Sequence, residues 1–162
     1  MPAKPTAQYW LFKTEPESFS IDDLARAPGQ TTFWDGVRNY QARNLLRDSI
    51  QVGDGVLIYH SSSEPMAIVG TAVVVKAGYP DHTAWDPCSR YPDPKSTPEN
   101  PIWFMVDIKL KAIFNNPLER AALARVAALR DMMLLKRGSR LSIQPVTAAQ
   151  WRAIHQLAGH KV

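Results

Sequence analysis

Residues 102–114, IWFMVDIKLKAIF, leave this chain little choice of local structure. Phe104, Val106, Ile108 and Leu110 occupy alternate positions, and Trp103, Met105, Asp107, Lys109 and Lys111 fill the gaps. That period belongs to a strand, whose successive side chains point to opposite faces. The β-rich runs YWLFKTEP at 9–16, VLIYHSS at 56–62, AIVGTAVVVKAGYP at 67–80 and RLSIQPV at 140–146 predict further strands. The fold must therefore bury the apolar side of a sheet.

Helical patterns lie between these runs. In SIDDLARAP, Ser20 is a natural N-cap, Asp22 and Asp23 suit the first turn, and Pro28-Gly29 ends the helix. A second helix starts near Asn39, which can cap it; Ala42, Leu45 and Leu46 form its buried stripe, and Arg43 and Arg47 a neighbouring face. PLERAALARVAAL reads as helical from Pro117. In TAAQWRAIHQLAG, Thr147 and Gln150 have capping-box spacing and Gly159 closes the helix. Short strands with inserted helices predict an α+β fold, a small mixed barrel or curled sheet with helices packed on its outside. A doubly wound parallel sheet fits less well, because its glycine fingerprint is missing.

With 162 residues the chain is expected to form one domain over 9–160, after a loose tail over 1–8. The net charge of +4 and pI near 9.3 favour a polyanionic partner mildly. The single cysteine, Cys88, allows no internal disulfide, and no Cys/His cluster suggests a metal. No apolar run approaches the ~20 residues of a membrane span. The stretch MPAKPTAQ lacks the regions of a signal peptide, so a cytosolic protein is expected, with no metal, no cofactor and no membrane partner.

No catalytic motif stands out. His60 and Ser61 are adjacent on a strand and point to opposite faces, so they make no nucleophile–base pair by themselves. Glu15, Glu17, Asp22 and Asp23 read better as caps or solvated groups than as acid/base pairs. Trp10, Trp34, Trp85 and Trp103 all fall outside regular helices with polar neighbours close by. A cleft that reads a nucleobase needs flat aromatic faces and a few fixed donors and acceptors. Trp34 with Arg38 and Asn39 offers such a wall; core filling by Trp10, Trp34 and Trp103 and simple capping by Asn39 are the plainer readings. Lys136, Arg137 and Arg140 around Gly138 suggest a phosphate-contacting loop. The segment 80–101 carries six prolines, and a loop of that length is usually functional or mobile.

Four ordered stretches, YWLFKTEP at 9–16, WDGVRNYQARNLLRD at 34–48, VGDGVLIYHSS at 52–62 and GSRLSIQPV at 138–146, together resemble the EVE domain. The resemblance spans nearly the whole chain and implies a PUA-like barrel, similar to YTH and ASCH domains. It implies a non-catalytic module that holds a modified nucleobase of DNA or RNA, such as a 5-substituted cytosine, in an aromatic pocket. In bacteria such domains often stand alone or are fused to restriction endonucleases. Carried over by position, Lys13 would hydrogen-bond or reach a phosphate and Trp34 would form a pocket wall. Arg38 and Asn39 would sit at the rim, His60 and Ser61 on the floor, and Ser139 and Arg140 near the mouth. Trp103 joins this set on aromatic grounds alone. Two other readings stay open: an RNA- or nucleotide-processing enzyme using His60 or Glu15, and a protein-interaction module using the same cleft. The partner expected is a nucleic acid or modified nucleotide; protein partners are not specified by these residues.

Overall fold

The computed structural model describes residues 7–138 and 140–160. Of the tail expected over 1–8, only Ala7 and Gln8 fall within these, and Gln8 is tied down by its backbone N–H to Asp54 Oδ1 at 3.1 Å. One mixed sheet of six strands runs through the molecule: β1 (Tyr9–Thr14), β2 (Thr31–Phe33), β3 (Gly55–His60), β4 (Ala67–Pro80), β5 (Phe104–Glu119) and β6 (Ile143–Val146), in the order β2-β5-β4-β3-β1-β6. β1 and β3 are parallel, with Tyr9 opposite Gly55, and every other pair is antiparallel. Register shifts within β4 and β5 curl the sheet.

The expected α+β class with helices on the outside is what the chain forms, but the sheet does not close into a barrel. Its two outermost strands, β2 with three residues and β6 with four, lie at opposite ends of the order and pair only inward among the described residues. β2 escaped the sequence reading for the same reason: Thr-Thr-Phe is too short to show a period.

The strand alternation produces two cores. Trp10, Phe12, Val56, Ile58, Val106 and Ile108 share one with Ile21 and Leu24 of α1 (Ile21–Arg26) and Ala42 of α2 (Tyr40–Asn44). Leu11, Leu57, Tyr59, Ile68 and Phe114 share the other with Trp151 and Ile154 of α4 (Ala148–Ala158). The caps foreseen are present: Ser20 with Asp23, Asn39 with the Ala42 N–H, and Thr147 with Gln150. α2 continues as a π-helical turn over Leu45–Ser49, which buries Leu46.

One helix was misplaced. The run from Pro117 stays in β5 as far as Glu119, where Leu118 pairs Ile68 and Glu119 pairs Ala67. Only Arg120–Leu123 (α3) is helical, and 3-10 turns follow at Ala127–Leu129 and Met133–Leu135. Leu123, Leu129, Met132 and Leu134 are all buried in the second core at these uneven spacings, and short turns satisfy them where one straight helix would not. Among the described residues no helix is long and apolar enough to cross a membrane, and no group of His, Cys, Asp and Glu is placed to hold a metal ion.

Candidate functional site

On the side of the first core a cavity of about 600 Å³ opens between the end of β1, the β2–α2 connection, the Pro-rich loop and the approach to β6. Its size suits one nucleobase or a comparable small group. Lys13, Trp34, Arg38, Ser61 and Arg140 line it, together with Phe19, Phe33, Arg90 and Tyr91.

Trp34 answers to both of its readings. Its ring is 8% exposed, 5.4 Å from Phe12 and 6.1 Å edge-on to Phe19, so most of it is core. Its backbone N–H donates to the Val106 carbonyl at 2.8 Å, which fixes it at the edge of β5. The part that remains lines the cavity.

Arg38 lines the cavity, but its guanidinium is spent inside the protein. Nε and Nη2 both donate to the Tyr91 carbonyl, at 3.0 and 2.7 Å, and Nη1 donates to Asp81 Oδ2 at 2.9 Å. The far face lies over Trp103, 5.6 Å from the ring centroid. Asp81 is fully buried and also accepts from the Gly36 N–H at 2.9 Å and from the Thr83 N–H and hydroxyl at 2.9 and 2.6 Å. Burial alone would raise the Asp81 carboxyl; the bonds from Thr83, Arg38 and Gly36 outweigh it and hold its pKa below the ordinary value. Asp81 and Arg38 thus fasten the Pro-rich loop to the β2–α2 connection.

The consequence is seen at Tyr91. Gly36 has φ of +78° and a Cβ there would sit 3.0 Å from Tyr91 Cδ2, so a bare backbone lets the ring lie close. Tyr91 is 48% exposed and lines the cavity; with Phe33, 44% exposed, it supplies the open aromatic surface that Trp34 lacks. Sequence reasoning missed Tyr91, whose only signal was its place in the long Pro-rich loop. Arg90, 5.6 Å from the Tyr91 ring, and Arg140 are exposed cations on the same wall. Lys13 is half-buried, and burial first and the charge of Arg120 second lower its pKa.

Three expected site residues lie off the cavity. Asn39 is exposed and accepts from the Ala42 N–H at 2.9 Å, so it caps α2. His60 Nε2 accepts from the Ile21 N–H at 3.1 Å and so secures the start of α1; burial lowers its pKa, against the raising effect of Asp22 and Asp23. Trp103 is 5% exposed, donates Nε1–H to Asp93 at 2.7 Å and packs on Tyr40 at 4.9 Å, under the loop. Ser139 lies outside the described residues. Trp10 is a core residue whose Nε1–H donates to buried Asp54 at 2.9 Å.

Comparison with known proteins agrees with this architecture. The EVE domain family profile matches residues 8–157. Human thymocyte nuclear protein 1 is 40% identical over 91% of this chain and 72% of its own length. A crystal structure of a protein from Pseudomonas syringae superposes with a TM-score of 0.88 at 49% identity, covering 93% of this chain and 99% of that one. The crystal structure of human THYN1 in complex with DNA containing 5-methylcytosine superposes with a TM-score of 0.87 at 38% identity, covering 96% of this chain and 100% of that one.

Proposed function

The chain belongs to the EVE domain family, and we propose that it is a non-catalytic module that binds nucleic acid and holds one modified base, such as a 5-substituted cytosine, in the cavity above Trp34. The observation that carries this reading is the cavity itself: a space of about 600 Å³ lined by a tryptophan, an exposed tyrosine and arginines. A base swung out of its strand gives up stacking and pairing, and a cavity with aromatic surface returns part of that loss. Tyr91 and Phe33 offer the stacking faces, and Ser61 and Ser142, which line the same space, bring hydroxyls that can partner the base. Arg90, Arg140 and Lys13 hold the strand by its phosphates, which makes affinity fall with salt. The human relative solved with 5-methylcytosine DNA supports DNA as the first ligand to test. A cytosolic location remains part of the proposal, beside a relative whose own name is nuclear.

The acid/base alternative finds less support. Glu15 lines the cavity, whereas His60 is engaged by the Ile21 N–H and does not line it, so only one of the two candidate acid/base groups faces the space a substrate would occupy. The deciding experiment is a titration of matched oligonucleotides, single- and double-stranded, with and without cytosine modification, followed by anisotropy at two salt concentrations. Saturable binding that favours the modified strand, and is weakened roughly tenfold in Tyr91→Ala with unchanged melting, is expected. Binding that ignores the modification and vanishes with salt would reduce the protein to a generic cation.

A further inference from the structure

We propose that Asp35 makes the cavity selective for a base bearing an exocyclic amine, cytosine-type over thymine-type; this rests on the base-binding role of the cavity. A carboxylate on the wall of a site for a polyanion works against binding unless it accepts a hydrogen bond from the ligand. The cavity has two, Asp35 and Glu15, and among the described residues neither carboxylate meets a hydrogen-bond donor. The other aspartates around it are taken: Asp81 by Arg38, Asp93 by the Trp103 indole and Asp107 by the Tyr79 hydroxyl.

Asp35 is the better placed of the pair. The amide before its side chain, that of Trp34, is bound to Val106 at 2.8 Å, and the one after it, that of Gly36, is bound to Asp81 at 2.9 Å. A short side chain on a backbone pinned at both sides can carry its two oxygens through only a small volume, in the cavity that Trp34 also lines. Glu15 has a longer side chain and sits in the exposed turn that its own carbonyl closes with Ser18 and Phe19. A carboxylate only accepts. It can take the N4–H of cytosine, whereas it faces the O4 of thymine lone pair to lone pair. 5-Methylcytosine and thymine carry the same ring methyl, so a methyl-sized space cannot tell them apart, and an acceptor that meets position 4, and not the N3–H of thymine beside it, can.

The test uses the full chain and duplexes with one central 5-methylcytosine, cytosine or thymine opposite an abasic site, so that swinging the base out costs a similar amount in each. Wild type is expected to favour 5-methylcytosine over thymine by roughly tenfold or more. Asp35→Asn, whose amide can also donate to O4, is expected to bring the two within about twofold, with melting unchanged because the side chain is exposed. Glu15→Gln is expected to keep the wild-type ratio. A wild type that prefers 5-methylcytosine to cytosine yet binds thymine equally well overturns the role of Asp35 and leaves the base reader standing, as does an Asp35→Asn protein with the wild-type ratio. No saturable binding to any of the three brings down the reader itself, and this proposal with it.

Discussion

The two faces of the sheet are covered by different means. The second core is closed by buried apolar side chains, Trp151 and Ile154 from α4 and Leu123, Leu129, Met132 and Leu134 from α3 and the short turns after it; α4 starts on a capping box and lays Trp151 against Tyr9, ring centroids 4.5 Å apart, so closely that a Cβ on Gly55 would be 2.5 Å from the indole. The first core has α1 and α2 over part of it and, around Trp34, a loop held by polar contacts that converge on Asp81. The cavity of about 600 Å³ is on the loop-covered side. Segments packed by buried apolar side chains leave less open space, whereas a loop fixed by hydrogen bonds at a few points can stand off the sheet and keep its aromatic side chains exposed.

That contrast can be broken in stages. The largest effect is expected from Trp151→Ala, about 4 kcal/mol of unfolding free energy in a denaturant titration, with affinity of the folded fraction unaltered. Asp81→Ala should cost somewhat less, about 3 kcal/mol, because it strands the Arg38 guanidinium and the Gly36 and Thr83 donors; unlike Trp151→Ala it should also weaken oligonucleotide binding about as much as removal of the Tyr91 ring does, since Arg38, which holds the Tyr91 carbonyl, loses its own anchor. If both variants reduced binding equally, the division of labour between the faces would be wrong. Tyr91→Ala is the converse case: stability within about 0.5 kcal/mol of wild type, and binding weaker by 1–3 kcal/mol or so in an anisotropy titration.

The smallest effect separates the faces by pH. His60 belongs to the first face and His155 to the second, and burial is the leading cause that lowers the pKa of each below its ordinary value near 6.5; Lys111 and His160 add to the effect at His155, against its bond to the Trp151 carbonyl. A histidine with a depressed folded pKa binds fewer protons in the native state than in the unfolded chain. Its contribution is full above about 6.5 and is lost as pH falls from there toward the folded value. Melting temperature should therefore drop on acidification below that point. His155→Gln should flatten the profile more than His60→Gln, since His155 is 2% exposed and His60 only half-buried.

What could be read from the sequence follows the range of the physics involved. Local signals were legible: Ser20, Asn39 and Thr147 cap the helices they were expected to cap, and the alternation of β5 describes Val106 and Ile108 correctly. Pro117 misled because a proline suits a helix start as well as a strand that leaves it unpaired, and only the register with β4 decides between them. The same limit applies at the cavity. Trp34 was visible as an aromatic beside a turn, but that Arg38 would turn inward to Asp81 and Tyr91, across more than forty residues of chain, depends on long-range folding. Asn39 and His60 are polar residues next to the right motifs whose hydrogen bonds are taken by helix starts.

The open ends of the sheet carry a consequence for how these molecules meet one another. A sheet edge is a template on which a second chain can add a strand, and solutions of such proteins can coalesce into fibres. Here one edge is three residues long, and the other, of four, includes Pro145, which has no N–H to offer. Neither of these outer strands presents an unbroken row of donors and acceptors long enough to seed a neighbour; a second chain would have to find its template on the stretch of β5 that runs past the three residues β2 covers.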